Sequence, residues 1–200
     1  DIEAENEEKK IEAFASEVME KVELAYPTAA LAARLARGGR NLLAMQEKAL
    51  HFLEANPELD LTRNYLDSYL MDKTGAGVDV WRGIPEADRG IVRGDVNRLQ
   101  RLLHVAVRPE TAEKLLVKGY RSASEIYRTG RQRFSRKMSN PGMSPGEREK
   151  VFDRAEQRHA MTLGYLGEYN QSLRGITPAV IQPILDLPVR KRDRDLLEAH

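Results

Sequence analysis

Apolar residues recur every three or four positions through most of this 200-residue chain, and this spacing limits the fold more than any other feature. The segment "EEKKIEAFASEVMEKVELAY" shows it clearly, because one helical face collects Ile11, Phe14, Val18, Val22 and Ala25. The segments "NLLAMQEKALHFLEAN" and "EADRGIVRGDVNRLQRLLHV" repeat the pattern. No segment shows a convincing strand pattern, and residues of high helix propensity dominate the composition. We therefore predict an all-α fold.

Proline and glycine residues mark where the predicted helices begin and end. Pro27, Pro85 and Pro109 stand at predicted helix starts, where the missing amide hydrogen costs little. Together with the glycine-containing turns, they divide the chain into a multi-helix bundle of about eight helices. In "LDLTRNYLDSYLMDK" we expect the fourth helix to be capped by Asp60 or Thr62.

A glycine turn in the C-terminal half precedes two short predicted helices in "VKGYRSASEIYRTGRQRFSRKM", residues 117–138. Glycine suits a helix C-cap because it adopts positive φ without steric cost. Ser122 and Glu125 form a Ser-x-x-Glu capping box for the next helix. We expect a packed helical hairpin in which Ile126 and Phe134 fill the core. Its structural residues are Gly119, Tyr120, Ser122, Glu125, Ile126 and Phe134.

The same stretch is rich in positive charge, which has two interpretations. In the first, it resembles half of a helix-hairpin-helix unit and binds nucleic acid, although Arg121 stands where that unit has a second glycine. In the second, the cations form a rim that faces other helices or another chain. A net charge of +1 favours the second, because it gives no overall attraction to polyanions. The phosphate contacts in the first interpretation would be Lys118, Arg121, Arg128, Arg131, Arg133, Arg136 and Lys137.

No motif in the sequence predicts catalysis, a cofactor or a metal site. The four histidines, His51, His104, His159 and His200, are scattered, and the chain has no cysteine. The loop "KTGAGV" lacks both the ligand pattern of a calcium loop and the Gly-Lys-Ser/Thr of a phosphate loop. An enzyme would need distant groups to converge, such as His104 or His159 with carboxylates. We expect a non-enzymatic chain without cofactor or metal.

The predicted organisation is an N-terminal helical bundle over residues 1–110, a hairpin and a long helix packed on it over 111–175, and a Pro-rich charged tail over 176–200. We expect one compact domain overall. No apolar run reaches the roughly 20 residues that span a bilayer. The chain starts "DIEAENEEKK", with neither Met nor a signal peptide. We interpret it as a soluble fragment of a larger protein that makes no membrane contact.

Several stretches, taken in order, resemble one protein family. They are "YPTAALAARLA", "ALHFLEANPELDLTRNYLDSYL", "RGIPEADRGIVRGDVNRLQRLLHV", "LLVKGYRSASEIYRTGRQRFSRKM" and "GMSPGEREKVFDRA". This set is similar to the N-terminal α-helical shell region of insecticidal toxin-complex A subunits, which are related to the Salmonella virulence plasmid A protein. The resemblance covers residues 25 to 170, whereas the acidic first helix and the Pro-rich tail lie outside it.

The resemblance implies a structural role in bacterial virulence. In that family this region belongs to the helical shell of a large subunit that assembles as a pentamer around a translocation channel. The implied function is a non-catalytic scaffold domain that acts by packing within and between chains. The implied partners are other domains or subunits of the toxin complex, including further copies in a homo-oligomer, and the implied location of the full-length protein is secreted or cell-surface. No catalytic residue is carried over, and nucleic acid is not an implied partner.

Overall fold

The computed structural model describes the backbone of residues 2–140 and 142–174, and within these it contains nine helices and no strand. The all-α prediction is therefore confirmed. In chain order the helices are α1 (Ile2–Ala25), α2 (Pro27–Arg37), α3 (Gln46–Ala55), α4 (Leu66–Gly75), α5 (Glu86–Leu103), α6 (Pro109–Val117), α7 (Ala123–Thr129), α8 (Arg131–Ser139) and α9 (Pro145–Arg174).

The chain forms two compact units, Asp1–Met161 and Thr162–His200. The first contains α1 to α8 and the first part of α9, and the second contains the rest of α9. The predicted boundaries at residues 110 and 175 stay predictions, and the predicted tail over 176–200 lies outside the described residues, as does His200.

A single hydrophobic core runs through the first unit, from Leu31 on α2 to Ala155 on α9. Helix α5 supplies its central face, where Val92, Val96 and Leu99 are fully buried at the three- or four-residue spacing of the sequence. Helices α3 and α6 pack against α5, and α2 packs against α3 and α6. Each buried aliphatic side chain of this kind stabilises the fold by about 1.5–3 kcal/mol relative to its exposed state.

Helix α3 starts later than the apolar pattern of "NLLAMQEKALHFLEAN" predicts, and α4 starts later than its predicted cap. Helix α3 begins at Gln46 because the buried carboxylate of Asp95 accepts hydrogen bonds from the backbone amides of Ala44 and Met45, at 3.2 and 2.7 Å. The expectation that Asp60 or Thr62 caps α4 is wrong, since α4 begins at Leu66. The Asp60 carboxylate instead accepts from the Thr62 amide at 2.9 Å and closes a local turn.

Helix α6 ends in the glycine turn that leads to the hairpin. Gly119 has φ +83°, a left-handed conformation that favours glycine. The Gly119 amide donates to the Leu116 carbonyl at 2.8 Å and the Tyr120 amide donates to the Leu115 carbonyl at 3.1 Å. These two bonds form a Schellman motif, which reverses the chain and directs Tyr120 back toward the core.

Helix α7 begins immediately after this turn with a modified capping arrangement. The Glu125 amide donates to the Ser122 hydroxyl at 3.3 Å, as a capping box requires. The Glu125 carboxylate accepts at 2.7 Å from the amide of Arg121, one residue before the N-cap. Gly130, with φ +78°, then separates α7 from α8. The hairpin is thus held by local backbone geometry at both of its bends.

Candidate functional site

The hairpin places its predicted structural side chains inside the first unit. Ile126 and Phe134 are fully buried, and Tyr120 is 3% exposed. The Phe134 ring lies between two other rings, with centroids 5.7 Å from Tyr120 and 5.9 Å from Phe152 on α9. Aromatic contacts of this kind stabilise a core beyond simple area burial. The apolar side of the hairpin is therefore occupied by the chain itself.

The seven basic residues of the hairpin do not converge on one surface. Arg121, Arg128, Arg133 and Lys137 line an open groove of about 610 Å³, which we name the basic groove; its other lining residues are Gly119, Tyr120, Glu125 and Thr129. Arg131 and Arg136 line a different depression of about 540 Å³, together with Ser135, Arg148 and Glu149. Lys118 is the C-cap of α6. The predicted set of phosphate contacts is therefore divided between faces.

Arg131 differs from the cations of the basic groove in how its positive charge is balanced. Arg131 donates to Asp153 at 2.6 Å and to Glu156 at 3.1 Å, and its guanidinium lies 4.6 Å from the centre of the Phe152 ring. The hydrogen bond with Asp153 raises the pKa of Arg131 above its usual value. Acidic residues of α9 therefore neutralise this cation, which joins the hairpin to α9.

In the basic groove, by contrast, no described residue places a carboxylate within ion-pair distance of its four cations. The Glu125 carboxylate lines the groove and accepts from the Arg121 backbone amide, so the groove has one anion against four cations. The ammonium of Lys137 lies 4.4 Å from the centre of the Tyr120 ring, a cation–π contact that leaves its charge uncompensated. Positive charge in the groove therefore remains available to a ligand.

Two arginines of α5 add to the positive potential near this groove. Arg98 donates to the Tyr120 carbonyl at 3.2 and 3.1 Å, and Arg101 donates to the Arg121 carbonyl at 3.3 Å. Burial, and after it the charge of Arg121, lowers the pKa of Arg98 below its usual value. Asp95 and Glu125 act in the opposite direction on the pKa of Arg98.

Tyr120 is a lining residue of the basic groove, although almost all of its side chain is buried. Its hydroxyl is buried, and no described residue forms a hydrogen bond with it. The nearby Thr129 hydroxyl donates to the Glu125 carbonyl at 2.8 Å. Burial raises the pKa of the Tyr120 phenol, and Thr129 opposes that shift. Tyr120 therefore remains a neutral donor at physiological pH.

A second candidate surface is the apolar stripe of α1, which we name the outward stripe: Ile11, Phe14, Val18 and Val22. Ile11 is 67% and Phe14 69% exposed, so the face that usually packs on a core is in solvent. Residues 10–22 of α1 are exposed on every face, and α1 is attached to the body near its C-terminal end. There Glu20 pairs with Arg108 at 2.5 Å and Glu23 pairs with Arg34 at 3.1 Å.

Arg34 is the centre of this attachment. It donates to Glu113 on α6 at 2.8 Å as well as to Glu23 on α1, and all three side chains are largely shielded from solvent. Burial opposes its charge, but the hydrogen bond with Glu113 and the surrounding acids raise the pKa of Arg34 above its usual value. The pairing attaches the end of α1 to α2 and α6 and leaves the outward stripe exposed.

The histidines occupy separate places in the described chain. The ring of His159 stacks on Tyr127 at 4.5 Å and its Nδ1 lies 3.0 Å from the Ser124 hydroxyl. Burial, and after it the charge of Arg158, lowers the pKa of His104. His51 Nε2 lies 3.1 Å from the Arg82 carbonyl. Among the described residues, no group of three potential ligands is arranged to hold a metal ion.

A polar network around Tyr69 was not anticipated from the sequence. The Tyr69 hydroxyl contacts Glu58 at 2.8 Å and Asn56 at 2.9 Å, and Lys73 pairs with Glu58 at 2.8 Å. The hydrogen bond from Lys73 is the main cause that lowers the pKa of Glu58 to about 2, whereas burial raises that of Tyr69. The network ties α4 to the segment after α3. No periodicity in the sequence indicates it.

In comparisons with known proteins, no family model, curated protein or solved structure matches the chain. Within the described part of the chain, no helix combines the length and apolar character needed to cross a membrane.

Proposed function

We propose that this chain is a non-catalytic helical scaffold domain of a bacterial toxin-complex A-like protein, acting by packing within and between chains of a translocation assembly. The ordered set of motifs across residues 25 to 170 supports the family assignment. The observation that carries the packing role is the outward stripe, an apolar helix face turned away from the core of its own unit. Such a role places the full-length protein outside the producing cell or at its surface.

The physical argument starts from the cost of exposing apolar area. With Ile11 and Phe14 about two-thirds exposed and Val18 and Val22 over two-fifths exposed, the outward stripe leaves on the order of 400 Å² of apolar surface in water. A helix kept in this orientation by two ion pairs gains nothing from the stripe while it is solvated. The stripe gains its hydrophobic free energy only when another surface covers it.

The occupant we propose is the same stripe on a second copy of the chain. Two stripes packed together would bury on the order of 800 Å² from these side chains, and flanking residues would bring the total near the lower limit of specific interfaces. The spacing of Ile11, Phe14, Val18 and Val22 approximates the alternating three- and four-residue repeat with which paired helices interlock. We therefore expect a weak, concentration-dependent homo-oligomer.

Sedimentation velocity from about 5 to about 200 μM tests this packing role, a range that covers weak association. We expect the wild-type chain to shift to a larger species as concentration rises, and Phe14→Gln with Val18→Gln to remain monomeric. Glu12→Gln, an exposed change on the same helix outside the stripe, is the matched control and keeps the wild-type behaviour. A wild-type chain that stays monomeric throughout, or a double variant that associates equally well, contradicts the proposal.

The family assignment has a separate test in the reading frame that encodes the chain. Pore-forming and receptor-binding regions encoded downstream of this segment would support a toxin-complex A-like protein. A reading frame with no such regions would contradict the family assignment, and it would leave the sedimentation experiment to decide the packing role on its own.

A further inference from the structure

The basic groove is the charged feature that the packing of the first unit leaves unused. Four cations, Arg121, Arg128, Arg133 and Lys137, line it, and the described residues supply none of them with a carboxylate partner. Elsewhere on the same hairpin, Arg131 is fully paired with Asp153 and Glu156. Asp153 and Glu156 thus neutralise Arg131 on one face of the hairpin, whereas no described carboxylate pairs with the four cations of the groove.

Two side chains of α5, outside the hairpin, also hold the backbone of the groove in place. Arg98 and Arg101 of α5 bind the carbonyls of Tyr120 and Arg121, which fixes the backbone from which the cations project. On this fixed backbone, three guanidinium groups and the Lys137 ammonium form a surface rich in donors for an anionic ligand.

We infer that the basic groove binds an acidic segment of a partner polypeptide, whose carboxylates pair with Arg121, Arg128, Arg133 and Lys137. Guanidinium groups bind carboxylates through two parallel hydrogen bonds, so three arginines can recognise closely spaced acidic side chains. An open groove admits an extended chain. The inference rests on the proposed packing role in one respect, which is that the ligand is a polypeptide.

A nucleic acid is the competing ligand, and the structure favours it less. Affinity for nucleic acid grows with the number of phosphates that a protein neutralises, because each contact releases counterions. Only four of the seven hairpin cations line the groove, and Arg131 is already neutralised on another face. The whole chain carries 32 basic and 31 acidic residues, so it supplies no long-range attraction to a polyanion.

Fluorescence anisotropy with a labelled peptide of alternating Glu and Ser tests the inference, with the same peptide carrying Gln in place of Glu as the ligand control. We expect the Glu peptide to bind the wild-type chain at low ionic strength and to dissociate as salt rises, whereas the Gln peptide does not bind. Arg128→Gln with Arg133→Gln should weaken binding at least about tenfold, because it removes two of the four contacts.

The matched control is Lys118→Gln with Arg136→Gln, which removes the same total charge from outside the groove. It should keep the affinity within about twofold of wild type. No binding of the Glu peptide, or an equal loss in both double variants, would overturn the inference. Tighter binding of a labelled single-stranded oligothymidylate would replace it with the nucleic-acid interpretation. None of these outcomes alters the sedimentation result, so failure of the groove and failure of the stripe are distinguishable.

Discussion

Replacing Phe134 by alanine tests whether the hairpin is part of the core that holds the first unit together. The Phe134 side chain is fully buried, and its ring contacts those of Tyr120 and Phe152. Truncation of a buried phenylalanine to alanine costs about 3–5 kcal/mol, from lost transfer free energy and from the cavity that remains. The two ring contacts place Phe134 toward the upper end of that range, because each adds about 0.5–1.5 kcal/mol beyond area burial.

The matched control is the neighbouring residue. Arg133 is exposed, lines the basic groove and has no carboxylate partner among the described residues, so Arg133→Ala should change the free energy of unfolding by less than about 0.5 kcal/mol. The two substitutions therefore separate the apolar side of α8 from its charged side within one helix.

Urea denaturation followed by circular dichroism measures both changes, and thermal melting gives a second readout. For a unit of this size, a loss of 3–5 kcal/mol lowers the melting temperature by about 6–20 °C. Phe134→Leu, which keeps an apolar side chain in the same space, should recover part of the loss. A ranking in which Arg133→Ala destabilises more than Phe134→Ala would refute the assignment of the hairpin to the core.

Two further predictions concern polar groups. Asp95→Ala should destabilise the first unit by about 1–3 kcal/mol in urea denaturation, because the amides of Ala44 and Met45 lose a buried acceptor; an unchanged midpoint would contradict this. The pKa of Glu58 is lowered to about 2 in the folded chain, so its contribution is complete above its unfolded pKa near 4.5 and is lost as pH falls toward 2. The urea midpoint of the wild-type chain should therefore fall between pH 7 and pH 3, and that of Glu58→Gln should fall less. An equal fall in both chains would contradict this prediction.

Much of the fold follows from local sequence signals because the helices are short and clearly punctuated. Proline stands at the start of α2 and α6, as the sequence predicts. The apolar periodicity of α5 matches its buried face. The wrong predictions concern helix starts at which a tertiary contact overrides a local sequence signal. Asp60 has the chemistry of an N-cap but closes a turn, and Asp95, 50 residues further along the chain, fixes the segment before α3.

The candidate site is harder to predict from sequence than the fold, because its charge depends on which cations form ion pairs. The basic run of the hairpin is visible in the sequence, but its division into two faces depends on how α7 and α8 pack. Arg131 and Arg133 are two positions apart on one helix and therefore point in different directions. Arg131 meets Asp153 and Glu156, whereas Arg133 lines the groove. Long-range pairing of this kind has no signature in a single sequence.

The orientation of α1 also depends on long-range ion pairs, and it bears directly on the proposed function. Periodicity alone predicts the stripe of Ile11, Phe14 and Val18, and the usual inference is that such a face packs on the core of its own chain. The ion pairs of Glu20 and Glu23 instead attach the C-terminal end of α1 to the body, and the stripe stays exposed. Two partly exposed ion pairs contribute little free energy, so burying the apolar stripe would stabilise the helix more than the pairs do. An assembly that covers the stripe would therefore stabilise this orientation of α1. We propose that a second copy of the chain provides that cover.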